Sequence, residues 1–388
     1  MKIAFLCTSL APGRDGVGDY VRQLATACVE AGHECLLIAL HDRHLSATTS
    51  SIQRTNEVRF SATQSWASRA ILLAELLKKF DPNWVSWQMV PYGFHPKGII
   101  PAGVFQLVEA ARPWTSHVML HEVWVGLAKA DNIPLRLVGA WQRRRLLAFL
   151  HQLKPACLHT SNEAYQLVLA QQGWQSDLLP LFGNMPVLAV SPAVARTELS
   201  ALLGSSVQFE NLCLGVIFGT IHPQWKPQPT LEWLEASARQ LRRPIGLLAV
   251  GRVGQHGTDM FARLSAEQNI LPLFVAGPQT PERVSLLLQA ADFGIATHPW
   301  ALIEKSGSTA TLLEHGLPVV VPRDDWQLRV GALTGSRDPL LRRLDDVQPS
   351  EFGRWTSQRR APRSLLPMVA DKFITRLSQP SPRGAIAA

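Results

Sequence analysis

The sequence predicts an α/β chain built as two doubly wound parallel-sheet domains, and three observations carry that expectation. A length of 388 residues suits two domains at roughly 100–200 residues each. Short, continuous apolar runs, the kind buried on both faces of a sheet, alternate with stretches of helical spacing. That rhythm lapses once, around Phe182–Ser206, where Pro186 and Pro192 interrupt it, and then resumes. An apolar share of 46% supplies two large cores and excludes a wholly disordered chain.

In the first half, Lys2–Thr8 reads as a buried strand and Pro12–Gly18 as a loop. Gly18–Ala31 has helical spacing through Val21, Leu24, Ala25, Cys28 and Val29, and Gly32 ends it before a strand at Glu34–Leu40. Further strands are expected at Trp84–Gln88, Val118–His121, Cys157–Thr160 and Asp177–Leu181. Helices fit Trp66–Phe80, Gly103–Ala111, Leu135–Leu153 and Asn162–Gln172. In the second half, strands are expected at Leu212–Gly219, Ile245–Gly251, Leu273–Ala276, Phe293–Thr297 and Pro318–Pro322. Helices between them fit Thr230–Gln240, Asp259–Gln268, Pro281–Ala291 and Ser308–His315. Pro367–Ser378 reads as a last amphipathic helix, expected to cross back to the first domain.

The domains so drawn are a Rossmann-like unit at 1–187, a linker at 188–207, a second Rossmann-like unit at 208–350, and a helical segment at 351–378. Gln379–Ala388 is too poor in apolar residues to fold alone. Two such domains facing one another would place a site in the cleft between their strand ends.

Composition narrows the partners. The net charge is +8, spread evenly over both halves, with no basic arm or tail of the kind nucleic-acid binders carry. A mild basic excess suits anionic ligands or an anionic membrane surface. Five scattered cysteines (Cys7, Cys28, Cys35, Cys157, Cys213) with no C-x-x-C pair read as reduced core thiols, not disulfides or a zinc site. The start, MKIAFLCTSLAPG, has too short an apolar run for a signal peptide. No apolar stretch reaches the ~18 residues of a membrane span. The expectation is a cytoplasmic protein, soluble or peripheral at the inner face of a membrane.

Two glycine clusters stand at strand ends. Gly16 and Gly18 lie between the first strand and the following helix, where free amides and the helix dipole favour an anion; a tight turn with nothing bound reads equally well. Gly251, Gly254 and Gly257, in GRVGQHG, follow the strand Ile245–Val250. The spacing mimics some nicotinamide-cofactor loops, so an NAD(P)-dependent oxidoreductase using Gly251–Gly257 is the rival reading. Against it, the opening G-x-G is absent and no acid closes the strand Leu273–Ala276.

The stretch IEKSGSTATLLEHGLPVVVP, residues 303–322, is the most informative. Lys305–Gly307 form a polar loop before a helix, so the Gly307, Ser308 and Thr309 amides can face a phosphate. Taken alone, Glu314 is a solvated helix residue.

Together these segments resemble the retaining glycosyltransferases of family 4, with their two-domain GT-B architecture, over nearly the whole chain. DGVGDYVRQLATACVEAGHECLLIAL is similar to the family's opening glycine-rich loop, helix and "GHEV" strand. LHEVWVG has the place of its central histidine strand. LLEHGLPVVVP is similar to its "LEAmAxGxPVV" segment, and FGTIHPQWKP has the place of its "VGRLxxxKG" phosphate loop. The resemblance implies that Glu314 contacts the nucleotide ribose and that His121 sits near the transferred sugar. The family's first glutamate falls on Ser306, with Glu304 displaced by two, and its phosphate-loop arginine falls on Thr220 beside Gly219. These departures make a non-catalytic nucleotide-binding member the alternative.

What the resemblance implies is transfer of a hexose from a nucleotide diphosphate sugar of the UDP or GDP class, with retained anomeric configuration and no further cofactor. The growing charge on the leaving diphosphate would be met by Lys226, by Arg252 in place of the missing arginine, and by Ser306, Gly307 and Ser308. No His, Asp or Glu cluster shows ligand spacing, so no metal is expected. The acceptor is a glycan, a lipid-linked sugar or a small molecule. Trp84, Trp87, Tyr92 and Trp124 are candidates to stack on sugar rings, or core residues. Gln142–Arg145 on a helix is a candidate face for anionic lipid, or a solvated one.

Overall fold

In the computed structural model, all residues are described except 47–48, 53–55, 204–208, 268–270, 336 and 380–388; most of the C-terminal tail expected not to fold thus lies outside the described residues. The chain divides into two compact units. Unit 1 comprises Met1–Pro180, Leu328–Leu333 and the chain from Leu366 on; unit 2 comprises Leu181–Gln327 and Thr334–Leu365.

Unit 1 holds β1 (Lys2–Cys7), β2 (Glu34–Asp42), β3 (Thr49–Ile52), β4 (Asn56–Ser61), β5 (Trp84–Met89), β6 (Ser116–Leu120), β7 (Cys157–Thr160) and β8 (Asp177–Leu178). They form one sheet in the order β3-β4-β2-β1-β5-β6-β7-β8. Every pairing is parallel except β3 with β4. The expected strands include all the central ones, and β1 and β5 are buried almost throughout; the strand expected at Asp177–Leu181 is the edge strand β8 and is confined to Asp177–Leu178.

The helix Leu366–Ser378 belongs to this unit, as expected. Its Val369, Phe373 and Leu377 are buried, and the Phe373 ring lies 5.7 Å from that of Phe5 in β1. A residue spacing of four turns these side chains onto one face, which is why this helix needs a sheet to cover.

Unit 2 holds β9 (Cys213–Phe218), β10 (Ile245–Val250), β11 (Leu273–Gly277), β12 (Phe293–Ile295), β13 (Val319–Val321) and β14 (Leu341–Arg343). The sheet runs β11-β10-β9-β12-β13-β14, parallel throughout. One of its cores gathers Trp233, Phe293, Phe352 and Trp355, with ring centroids 5.2–6.0 Å apart; Trp233 meets Phe352 and Trp355, and Phe293 meets Phe352, edge to face, a geometry that aligns ring quadrupoles favourably.

The stretch expected as a linker contains the helix Pro192–Leu203, whose Ala195 and Leu199 are buried. Arg196 fastens it by donating to Phe209 O at 2.6 Å and to Asp292 Oδ2 at 2.8 Å. Residues 181–187 and 351–365, expected in the first domain and in a separate helical segment, are parts of unit 2.

Candidate functional site

In unit 2 the strand order reverses at β9, the first strand of the unit, with β10 and β11 on one side of it and β12, β13 and β14 on the other. Parallel sheets open a crevice for ligands at the carboxyl end of such a reversal. A small pocket lies there, lined by Thr220 after β9, by Thr297 and His298 after β12, and by Ser306, Ser308 and Thr309.

Two glycine turns shape its rim. Gly219 (φ +77°) and Gly251 (φ +89°) end β9 and β10 in the left-handed region, where a side chain is strained. A Cβ on Gly219 would also meet Ser308 Oγ at 2.6 Å. Thr220 Oγ1 donates to Arg252 O at 3.3 Å, and Ile221 N donates to Val253 O at 3.2 Å, so the two turns brace each other. The spacing that mimics a nicotinamide loop is accounted for here by turn geometry and packing: Gly254 is also left-handed (φ +76°), and a Cβ on Gly257 would stand 3.0 Å from Val253 Cβ.

Ser306 caps the helix Gly307–Glu314, its Oγ accepting from Thr309 N at 3.2 Å. That satisfies the third amide of the first turn and leaves the Gly307 and Ser308 amides at the open, electropositive end of the helix. A Cβ on Gly307 would meet nothing within 4 Å, so there is room above that end. His298 is held neutral beneath it: burial first, then the charges of Lys305 and Arg323 and the His222 ring, push its pKa down to about 4.

The other predicted residues of this unit are placed as follows. Lys226 is exposed in the segment between β9 and the next helix, and Arg252 is exposed on the β10 turn. Glu304 lies in the short 3₁₀ helix Trp300–Lys305, with Oε1 at 4.0 Å from Arg337 Nε, so it is directed to an arginine. Glu314 is 2% exposed and does not line the pocket. Its Oε2 accepts from Gly183 N at 3.0 Å and its Oε1 from Leu365 N at 2.6 Å. Burial outweighs these two donors and raises its pKa to about 7.

The carboxylate of Glu314 thus serves the backbone. A count along the sequence explains the difference from a ribose contact. In "LEAmAxGxPVV" the acid precedes the glycine by five residues, whereas Glu314 precedes Gly316 by two; five back from Gly316 stands Thr311, whose Oγ1 donates to Gly307 O at 2.9 Å.

Gly16, Gly18 and His121 belong to unit 1. The first-turn amides expected to await an anion are taken: Asp15 Oδ1 accepts from Val17 N and Gly18 N, each at 2.9 Å, which is what an aspartate at the N-cap does. Gly18 is needed for packing, because a Cβ there would collide with Ser9 O.

His121 follows β6, is buried, and bonds Gln88 Oε1 through Nε2 at 2.9 Å. Burial pushes its pKa down to about 3, so the ring is neutral. From Gln88 a buried polar chain continues along one face of the sheet. Gln88 Nε2 donates to Ser86 Oγ (2.8 Å), Ser86 Oγ meets His117 Nδ1 (2.8 Å), and His117 Nε2 meets His159 Nδ1 (2.9 Å).

Sequence reasoning missed this chain. It also missed that His117, Cys157 and His159 place their ligand-type atoms within 4.8 Å of one another. The signal existed only in the strand register: His117 pairs with Cys157, and the i, i+2 spacing puts His159 on the same face. Of the aromatic candidates for sugar stacking, Trp84, Trp87 and Trp124 are core residues, while Tyr92 is partly exposed.

No protein-family model matches the chain, and no curated protein matches it by sequence. Solved structures do match in fold. HepE of Anabaena, in complex with UDP and glucose, superposes with a TM-score of 0.56 at 16% identity, covering 97% of this chain and 99% of that one. The catalytic domain of starch synthase IV from Arabidopsis thaliana, bound to ADP and acarbose, gives 0.55 at 12% identity, with 97% and 98% covered. WaaG, a glycosyltransferase involved in lipopolysaccharide biosynthesis, gives 0.52 at 14% identity, with 99% and 97% covered. The fold is therefore the GT-B fold of glycosyltransferases.

Proposed function

We propose that this protein transfers a sugar from a nucleotide diphosphate sugar to a glycan, lipid-linked or small-molecule acceptor, with retention at the anomeric carbon and without a metal. The observation that carries this reading is the pocket where Gly219–Thr220, the Gly251–Arg252 turn and the start of the helix Gly307–Glu314 converge. Backbone turns free of side-chain bulk, an open helix N-terminus and two flanking hydroxyls form a receptor for a diphosphate. The GT-B likeness, with neighbours that hold UDP or ADP, gives that receptor its class.

In this mechanism the diphosphate accumulates charge as the glycosidic bond breaks. The Gly307 and Ser308 amides stabilise it by fixed dipoles, and Lys226 and Arg252 by charge. His121, neutral and held by Gln88, offers a hydrogen-bonding nitrogen to a hydroxyl of the transferred sugar. Glu314 is not given the ribose, because its oxygens are committed to Gly183 and Leu365.

A thermal-shift screen of UDP-, GDP- and ADP-sugars tests class and donor together, and NMR of the product anomer tests retention. Stabilisation by NAD(P)H with none by any nucleotide sugar would overturn the reading in favour of the oxidoreductase. Nucleotide binding without turnover on any acceptor would leave a non-catalytic GT-B protein.

A further inference from the structure

Beneath the helix Leu366–Ser378, unit 1 brings three metal-binding side chains to one point, and the transferase reading uses none of them. His117 in β6 and Cys157 in β7 are partners across the strand register, and His159 lies two residues on, on the same face. His117 and His159 are 0% exposed and Cys157 is 1% exposed. His117 Nε2 is 2.9 Å from His159 Nδ1, and Cys157 Sγ is 3.6 Å from that same nitrogen. Donors bound at ~2.0–2.3 Å to one ion stand ~3.3–3.6 Å from one another, so a small opening of the two rings would seat an ion among them.

Hydrogen bonding alone leaves this cluster short. His159 Nδ1 offers a single in-plane site, yet it faces both His117 Nε2 and the Cys157 thiol. Whichever ring carries the shared proton, one site cannot serve two neighbours; one ion would serve all three. The far side of His117 is already arranged for that role. Its Nδ1 lies 2.8 Å from Ser86 Oγ, and a ring that binds metal through Nε2 carries its proton on Nδ1, where such an oxygen accepts it. Gln88 Nε2 holds the Ser86 hydroxyl in turn, at 2.8 Å.

We infer that His117 Nε2, Cys157 Sγ and His159 Nδ1 form a binding site for a soft monovalent cation, copper(I). Binding releases the thiol proton to solvent, and copper(I) with one thiolate and two neutral imidazoles carries no net charge. Neutrality decides the metal. The site is dry, with the Phe373 ring 5.2 Å from the His117 ring and Val369 and Leu377 buried on the same helix. The nearby charges, Arg376 and Asp177, are committed to each other at 2.8 Å, so an added charge would stand uncompensated. Zinc(II) on these ligands would keep a positive charge and want a fourth donor, and among the described residues the cluster has three. Thiolate and imidazole suit copper(I) by their softness, and three ligands satisfy it. The site stands apart from the transferase reading, since metal binding is measured without sugar turnover.

The test is anaerobic titration of the full chain with copper(I) in competition with bicinchoninate, allowed to equilibrate because the site is buried. X-ray absorption at the copper edge then reads the ligands. One equivalent is expected to bind, with two nitrogens and one sulfur around the metal, and to raise the melting temperature. Cys157→Ala and His159→Gln should each abolish that equivalent. Ser86→Ala should weaken it ~10–100-fold, as loss of a ligand's outer hydrogen-bond partner does. Cys28→Ala removes a buried thiol elsewhere in unit 1 and should change nothing. Circular dichroism of the metal-free variants shows that they are folded, and the absorption spectrum of the parent protein judges the ligand set without any variant. Failure to retain copper(I) against the chelator, a spectrum with two or more sulfurs, or binding that survives Cys157→Ala overturns the proposal. So does a preference for zinc(II) over copper(I), because neutrality would then not be what selects the ion.

Discussion

Leu365 donates its amide to Glu314 Oε1 at 2.6 Å, and it is the last residue of unit 2 before the chain passes to unit 1. The other carboxylate oxygen takes the amide of Gly183, two residues after unit 2 begins. One buried side chain therefore holds both the entering and the leaving segment of this unit. A Cβ at position 183 would strike Glu314 Oε2, which makes glycine a requirement of the arrangement.

Glu314→Ala should leave two buried amides unpaired and destabilise the protein by about 1–3 kcal/mol for each, measured by urea unfolding. Nucleotide affinity of the folded variant should be unchanged. A selective loss of nucleotide binding with stability intact would return Glu314 to the ribose.

Stability should depend on pH with two opposed signs. The folded pKa of Glu314, about 7, lies above its unfolded value, so its contribution is full below the unfolded pKa and is lost as pH rises toward 7. The buried histidines act the other way. His121 (about 3), His159 (about 4) and His117 (well below its ordinary value) are neutral when folded. Their contribution is full above the unfolded pKa near 6.5 and declines as pH falls toward the folded values. At pH ~5 the neutral His121 alone costs about 2 kcal/mol, and the bonded pair His117 and His159 adds to it in the same direction, so acid should destabilise unit 1 while relieving Glu314. Comparing His159→Gln and Glu314→Ala with the parent across this range separates the two terms.

Lys226→Ala should lower kcat by about 10²–10³-fold, with a smaller effect on donor affinity, if the lysine acts on the departing diphosphate. Arg252→Ala should act in the same direction more mildly, and Thr220→Arg should partly restore it. Steady-state kinetics with the donor found in the nucleotide-sugar screen decides this. A change in KM alone would assign Lys226 to the ground state.

Gly219→Ala combines a left-handed backbone, whose strain should cost stability by roughly 1–2 kcal/mol, with a clash against Ser308 at the pocket, which should lower nucleotide affinity as well. Gly173→Ala, at φ +79° with nothing within 4 Å of its Cβ, carries the same kind of backbone strain in unit 1 without the clash. It should cost stability and leave nucleotide affinity alone, as calorimetric titration would show.

Activity should survive EDTA at full rate, because the charge on the diphosphate is met by side chains and amides. Loss restored by magnesium or manganese would contradict that mechanism.

The central strands and the helix Trp66–Phe80 were legible because continuous apolar runs and helical spacing report burial directly. β4 was not, since Asn56-Glu-Val-Arg-Phe-Ser mixes charge into a strand near the sheet edge. The helix Pro192–Leu203 is hidden by its own first residue: proline starts a helix there, although in the sequence it reads as a break. In the candidate site, the glycine turns and the loop before Gly307 could be read locally. The employment of Asp15 as a cap was readable in principle from its place before the helix. What Glu314 bonds could not be read, because Gly183 and Leu365 are distant in sequence and only the fold brings their amides to it.

The helix Leu366–Ser378 lays Phe373 over Phe5 and 5.2 Å from the His117 ring. On the ribosome, β1 is made before unit 2 and this helix is made after all of it. Unit 2 has its full complement of residues as soon as Leu365 is out, whereas the sheet of unit 1 keeps an uncovered apolar face until translation reaches the end of that helix. A nascent chain stalled just before it would present that face to chaperones and proteases, so unit 1, whose strands are made before unit 2, is completed after it.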